Sequence, residues 1–187
     1  MRKQYIITLT ASNRVGIFAA VATALAELGG ELQEVKQTLL GKFFTMIVAA
    51  EFPEHRDADV IVDHLRGRCE RFGIEITLKD PSNEVPASDP EEDAGRHLLT
   101  LTGRDEPGLL SRIATRIARD RIDIAEMHAK RIDAGRSFEV AMTVVVPLTA
   151  DIGELVNDLE EIGRNVELSA WFEEQPISEE VIRTPAR

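Results

Sequence analysis

Two short stretches of the chain combine residue types that could hold a small charged ligand at the start of a helix. One is Thr102-Gly-Arg-Asp-Glu-Pro-Gly-Leu-Leu110 and the other is Thr10-Ala-Ser-Asn-Arg-Val-Gly-Ile-Phe18. Glycine lets the backbone approach a ligand closely. The N–H groups at a helix start favour a carboxylate or phosphate, and an Asp or Asn oxygen could accept a hydrogen bond from an ammonium group. Together these features would hold an α-amino acid by its two charged ends.

The same stretches also have a purely structural interpretation. Asn13 or Asp105 could cap the following helix, and Pro107 suits a first helical position. Gly16 and Gly108 would then only form a tight turn. The spacing alone favours this structural interpretation.

The remaining reactive residue types show no catalytic or metal-binding pattern. The four histidines, His55, His64, His97 and His128, lack metal-ligand spacing, and Cys69 is the only cysteine. We expect His64 and Cys69 to be structural residues of a helix. Nothing arranges a nucleophile, a base and an oxyanion site together. The sequence therefore predicts no enzyme, no metal and no cofactor.

The composition disfavours direct contact with nucleic acid or membrane. The 187 residues carry a net charge of -11, and only 5% are aromatic, so the surface would repel phosphate backbones and offer few stacking groups. A helical stripe of Arg112, Arg116 and Arg119 is expected to be a solvated face or a docking surface, too small to offset this charge. No apolar run approaches the roughly 18 residues of a membrane helix, and no signal-type stretch begins the chain. We expect a soluble, cytoplasmic protein.

The chain contains two copies of one pattern. Tyr5–Thr10 aligns with His97–Thr102 and Gly16 aligns with Gly108, while two extra residues near Gly135 shift the later register so that Phe44 meets Phe138. These matches predict domains at residues 1–80 and 97–174. Residues 81–96 form an acidic, proline-containing linker, and residues 175–187 form a tail.

Hydrophobic periodicity gives the same order of elements in both copies. In the first copy, strands are expected over 5–10, 32–40, 43–52 and 74–78, and helices over 17–28 and 57–71. In the second copy, strands are expected over 97–103, 122–132, 137–146 and 165–173, and helices over 108–120 and 150–162. Each domain is therefore predicted to be α+β and ferredoxin-like, βαββαβ, with an antiparallel four-stranded sheet and two helices on one face.

This order, together with Asp105-Glu-Pro-Gly-Leu-Leu110 after the first strand, resembles the ACT domain family. The resemblance covers both copies and implies amino-acid binding where two paired domains meet. It also implies contacts from the loop after the first strand and from the start of the second strand. Carried over by position, the implied ligand-binding residues are Asn13, Val15, Gly16, Glu34 and Val35 in the first copy and Asp105, Pro107, Gly108, Glu126 and Met127 in the second.

The first copy departs from the family pattern because Asn13 replaces the acid and Val15 the proline. Glu34 and Glu126 occupy equivalent strand positions, and each could bind an amine or simply be a solvated charge. The linker is long enough for the two domains to pair within one chain, and two chains could pair again as a homodimer.

Two regulatory functions fit this pattern, and the acidity, the lack of a helix-turn-helix segment and the resemblance favour the first. The protein could bind an amino acid and control transcription by contacting a DNA-binding regulator. It could instead be a regulatory subunit or allosteric modulator of an enzyme of amino-acid metabolism. An enzyme in its own right fits least well, because the two small domains use up the chain.

The charge balance generates one direct prediction. The purified protein should form no complex with duplex DNA in a low-salt gel-shift assay below micromolar protein, because a net charge of -11 leaves little driving force from counterion release. A salt-sensitive complex with the protein alone would contradict this interpretation.

Overall fold

Each repeat folds as β-α-β-β-α-β. The computed structural model describes residues 2–83 and 94–174, and the chain divides into two units, Met1–Pro86 and Ala87–Arg187. Domain 1 contains strands β1 (Arg2–Ser12), β2 (Glu31–Leu40), β3 (Phe43–Pro53) and β4 (Glu75–Lys79), with helices α1 (Ile17–Glu27) and α2 (Ala58–Arg68). Domain 2 contains β5 (Gly95–Arg104), β6 (Asp123–Ile132), β7 (Ser137–Val146) and β8 (Ser169–Glu174), with α3 (Leu109–Arg119) and α4 (Ile152–Ile162).

The strand orders confirm the predicted fold class. The sheets have the orders β2-β3-β1-β4 and β6-β7-β5-β8, and every neighbouring pair is antiparallel. Short 3₁₀ turns at Glu70–Phe72 and Arg164–Val166 lead into the last strands. Most of the expected linker and the whole of the expected tail, residues 84–93 and 175–187, lie outside the described residues. None of the described helices is long and apolar enough to cross a membrane.

Alternation along the central strands places the core on one face of each sheet. In β1, Ile7 and Leu9 are fully buried, whereas Thr8 between them is only partly buried. The helices cover this face with apolar side chains at helical spacing, such as Ile17, Val21 and Leu25 of α1. Domain 2 repeats the arrangement with its own cluster of buried residues.

Ion pairs tie the two helices of each domain together. In domain 1, Glu27 of α1 accepts hydrogen bonds from His64, at 2.8 Å, and from Arg68 of α2. The hydrogen bond from His64 is the main reason that the pKa of Glu27 lies below its usual value. His64 is therefore a structural residue that joins two helices.

Arg116 plays the corresponding part in domain 2. Its side chain is only 10% exposed and lies 2.5 Å from Asp120 and 2.7 Å from Asp158 of α4. The hydrogen bond to Asp120 is the largest cause of its raised pKa. The prediction of one solvated or docking face formed by Arg112, Arg116 and Arg119 is therefore wrong, because Arg116 packs between two helices.

Cys69 follows α2 directly and is fully buried. Burial raises the pKa of its thiol, which favours the unreactive protonated form. The expectation of an ordinary structural thiol agrees with this position.

The second strand of each domain carries a bulge at an equivalent place. The register shifts between Leu32 and Glu34 in β2 and between Ile124 and Glu126 in β6. Beyond the bulge, Glu126 lies opposite Thr143, and Met127 lies opposite the buried Met142. Consecutive residues of a strand point to opposite faces, so Glu126 and Met127 project on opposite sides of the sheet.

The turns that follow these strands differ in length. In domain 1, Leu40 pairs with Phe43 across the two residues Gly41 and Lys42. In domain 2, Ile132 pairs with Ser137 across the four residues 133–136. The two extra residues of the second copy are thus confined to the hairpin turn.

The packing around Gly30 generates a stability prediction with a matched control. A Cβ at Gly30 would lie 2.6 Å from the ring of Phe52 and 2.9 Å from the carbonyl oxygen of Leu25. Gly30→Ala should therefore lower the free energy of unfolding by about 1–3 kcal/mol, as overpacking does. Gly67→Ala, where a Cβ meets nothing within 4 Å inside α2, should stabilise by up to about 1 kcal/mol. Urea unfolding followed by circular dichroism measures both, and equal effects would contradict the packing argument.

Candidate functional site

The turn that joins the first strand of each domain to its first helix depends on a left-handed glycine. Gly108 has φ 84° and ψ -5°, and Gly16 has φ 95° and ψ -1°. In domain 2 the N–H of Leu109 donates to the carbonyl oxygen of Glu106 at 3.2 Å. With Pro107 and Gly108 at its centre, this is a type II turn, which needs a positive φ at its third residue.

These turns correct the capping prediction. The N-cap residues of α1 and α3 are Gly16 and Gly108, and neither helix has a side-chain capping hydrogen bond. Asn13 and Asp105 therefore do not cap the helices, and Pro107 precedes the N-cap instead of occupying the first helical position. The α3 start also lacks an acidic residue in its first turn, so its N–H groups face no side-chain anion of that turn.

Main-chain hydrogen bonds hold each loop against the neighbouring hairpin. The N–H of Asp105 donates to the carbonyl oxygen of Arg136 at 2.9 Å, and the N–H of Asn13 donates to that of Lys42 at 2.8 Å. These two loop positions are thus fixed by equivalent contacts in the two domains.

The carboxylate of Asp105 has a partner that the sequence analysis missed. Arg131 of β6 lies 2.7 Å from Oδ2 of Asp105, and the exposed fractions of the two side chains are 72% and 28%. Arg131 occupies the position that Leu39 has in domain 1, as the common 92-residue offset shows. The domain 2 loop therefore has an exposed ion pair where domain 1 has Asn13 and an apolar side chain.

The domain 1 loop is correspondingly apolar. Val15 is completely exposed, and Phe18 and Leu39 are about half exposed. A Cβ at Gly16 would lie 3.7 Å from the ring of Phe72, whereas a Cβ at Gly108 would meet no atom of the described residues within 4 Å. A side chain at position 16 would thus contact Phe72, whereas one at position 108 would extend into open space.

The structure does not bring all the expected ligand-binding residues together within one domain. Asp105, Pro107 and Gly108 lie at the end of the sheet where β6 finishes, beside Arg131. Met127 lies four residues earlier on β6, a distance of roughly 13 Å at 3.3 Å per residue, and Glu126 is further still. In domain 1, Glu34 and Val35 likewise lie towards the start of β2, away from the loop of Asn13, Val15 and Gly16.

The described residues provide no metal centre beside this loop. Within residues 2–83 and 94–174, no group of three His, Cys, Asp or Glu side chains is placed to hold a metal ion. The chemistry that the loop itself offers is hydrogen bonding and charge: main-chain N–H groups, one carboxylate and one guanidinium.

The Asp105–Arg131 ion pair generates a prediction about its strength. A double-mutant cycle with Asp105→Ala and Arg131→Leu should give a coupling free energy below about 1 kcal/mol, because exposed ion pairs are screened by water. The matched cycle with Asp158→Ala and Arg116→Leu should give a larger coupling, because Arg116 is mostly buried. Urea unfolding of the wild type, the two single variants and the double variant of each cycle measures both coupling free energies. A larger coupling for Asp105 and Arg131 than for Asp158 and Arg116 would contradict this account.

Family models match both repeats. The match is to the ACT domain over residues 3–79 and again over residues 97–164. Curated relatives match about one domain's length. The UPF0237 protein SMU_72 of Streptococcus mutans is 36% identical over 74 residues, which are 40% of this chain and 80% of that protein. The UPF0237 protein of Methanosarcina mazei is 31% identical over 77 residues, 41% of this chain and 84% of that protein.

Two solved structures share the fold over nearly the whole chain. A protein of unknown function from Galdieria sulphuraria has a TM-score of 0.76 at 20% identity, covering 94% of this chain and 100% of its own. A candidate glycine cleavage system transcriptional repressor has a TM-score of 0.65 at 16% identity, covering 94% and 99%. With these matches and two βαββαβ domains, the chain belongs to the ACT domain family.

Proposed function

We propose that this protein is a non-catalytic regulator that binds an amino acid through the β5–α3 loop of domain 2. We further propose that it acts on transcription in the manner of a glycine cleavage repressor, by contacting another protein. The fold shared with the candidate repressor over 94% of this chain supports this assignment. Glycine is accordingly the first amino acid to test.

The observation that carries the proposal is the open, uncapped type II turn at Gly108 beside an ionised pair. The N–H groups at the start of α3 offer donors to a ligand carboxylate. Asp105 is held by Arg131 through Oδ2, which leaves Oδ1 to accept from a ligand ammonium group. A zwitterion would thus meet a donor group and an acceptor group in one place.

Domain 1 is proposed to bind an amino acid less well, if at all. Asn13 lacks the negative charge of Asp105, and Val15 cannot fix φ as Pro107 does. The ring of Phe72 lies close to where the side chain of a substituted Gly16 would be. The apolar side chains around this loop suit a protein surface better than a charged ligand.

The predicted ligand-binding residues of β2 and β6 could contact a ligand only if it were held by another ACT domain. Within one domain, Glu126 and Met127 are too far along β6 to contact a ligand held at Gly108. Pairing of ACT domains, within a chain or in a homodimer, remains our proposal for supplying Glu34, Val35, Glu126 and Met127 to a ligand.

The proposed output is a protein–protein contact. A net charge of -11 disfavours DNA as the direct target. We place this contact in the cytoplasm. Affinity capture with the tagged full-length protein, with and without glycine, distinguishes the targets: a DNA-binding regulator supports the proposal, whereas an enzyme of amino-acid metabolism favours the alternative modulator role.

Calorimetric titration with glycine and the other common amino acids tests the ligand site. Gly108→Val should abolish binding, because its side chain would fill the open space in front of the turn and the backbone there is left-handed. Asp105→Ala should weaken binding roughly 10-fold or more, the usual cost of a lost hydrogen bond to a charged group. Gly16→Val should have a smaller effect.

Gly73→Val is the matched control for backbone strain. Gly73 also has a positive φ, 59°, and open space at its Cβ, but it lies in domain 1 beyond α2. It should bind amino acids as the wild type does, with circular dichroism confirming that each variant is folded. Wild-type affinity in Gly108→Val, or loss of binding in Gly16→Val alone, would place the site elsewhere.

A further inference from the structure

A groove that has no part in the proposed amino-acid site lies in domain 1, between α1 and the end of α2. It is a groove of about 410 Å³ lined by Ala19, Ala20 and Thr23 of α1 and by Arg68 and Arg71 from the end of α2 and the 3₁₀ turn that follows. It uses none of the residues assigned above to amino-acid binding. Its lining pairs small side chains on one wall with guanidinium groups on the other.

The groove has more positive than negative charge. The guanidinium of Arg71 lies over the ring of Phe72, 4.5 Å from its centroid, and has no carboxylate partner in the part of the chain that the structure describes. Arg68 is hydrogen-bonded to Glu27, which is shared with His64. Arg14 of the adjoining loop is not one of the lining residues; its Nη1 donates to the carbonyl oxygen of Arg71 at 3.2 Å. Two lining arginines thus meet one carboxylate.

Domain 2 shows that the fold does not need these arginines. By alignment of the helices and turns, Glu106 replaces Arg14, Ile162 replaces Arg68 and Asn165 replaces Arg71. The equivalent groove of domain 2 is instead lined by Ile162 and by arginines of α3.

The wall of small residues on α1 also differs from the equivalent wall on α3 of domain 2. Arg112 stands at the position of Ala20 and pairs with Glu106 at 2.8 Å, so the charge on that side of the domain 2 groove is balanced within the domain. Domain 1 has an alanine there, which leaves space, and it has Arg14 in place of the carboxylate of Glu106. The difference is both in room and in uncompensated charge.

We propose that this groove binds the phosphate group of a small phosphorylated molecule. Guanidinium groups match phosphate oxygens with paired, charge-assisted hydrogen bonds. The two lining arginines against one carboxylate leave a net positive charge, which favours a phosphate anion. The stacking of Arg71 on Phe72 holds its guanidinium plane in place, which reduces the entropy lost on binding. The groove lies within the size range of small-molecule sites.

Thermal unfolding of the full-length protein with added inorganic phosphate tests this inference, with ionic strength held constant by sodium chloride. Phosphate should raise the Tm of the wild type by mass action. Arg71→Gln should weaken phosphate binding at least 10-fold. Arg66→Gln is the matched control, because Arg66 lies on α2 close in sequence to Arg71 but pairs with Asp63 and is not part of the groove; it should respond as the wild type does.

A second variant tests the groove without removing an arginine. Ala20→Leu places a larger, uncharged side chain on the wall of the groove, and it should fill the space and weaken phosphate binding in a folded protein. The inference is overturned if phosphate gives no shift, if Arg71→Gln and the wild type respond equally, or if succinate binds as tightly as phosphate. Glycine titration of Arg71→Gln should match the wild type, which separates this site from the amino-acid site of domain 2.

Discussion

Each domain depends on covering one apolar face of a four-stranded sheet with two helices. The chain must therefore leave the end of the first strand and return at once over the sheet, and it does so through a left-handed glycine at φ 95° in one domain and 84° in the other. A residue with a Cβ adopts this conformation only with strain. The requirement of the core thus fixes a turn that leaves the N–H groups of a helix start without a side-chain cap, and the candidate ligand site results from how the core is closed.

The two domains share this frame but differ in the chemistry of their surfaces. Domain 2 presents the pair of Asp105 and Arg131, whereas domain 1 presents Asn13 and Leu39 at the same positions. In the groove between the first and second helices, the contrast is reversed. Domain 2 balances Arg112 with Glu106, and domain 1 gathers arginines with fewer carboxylates. The same backbone would therefore carry both proposed sites, one for a zwitterion in domain 2 and one for an anion in domain 1.

The sequence predicted the element order well because hydrophobic period and internal repetition are properties of local spacing. Strands β3 and β7 began at the expected residues, Phe43 and Ser137. The last strand of domain 2 begins later than expected, at Ser169, because a 3₁₀ turn with Glu167 in a left-handed conformation precedes it. Such a turn has no apolar period to reveal it.

The site was harder to predict because its partners are distant in sequence. Arg131 of β6 contacts Asp105 in the β5–α3 loop. Only comparison with Leu39 in the other copy could have drawn attention to Arg131. Arg116 looked like part of a surface stripe because spacing gives the face of a helix but not which neighbour covers it. Gly108 looked like a residue inside a capped helix, since a type II turn and a capped start place Asp, Pro and Gly in similar order.

The unequal hairpins between the second and third strands have a consequence for engineering. Two residues more or less are absorbed entirely by the turn, and the strands on either side keep their pairing. The turn that differs in length between the domains is also the one whose Arg136 carbonyl holds the β5–α3 loop. Randomising residues 133–135 would therefore vary the surroundings of the proposed ligand loop and leave the pairing of the flanking strands unchanged.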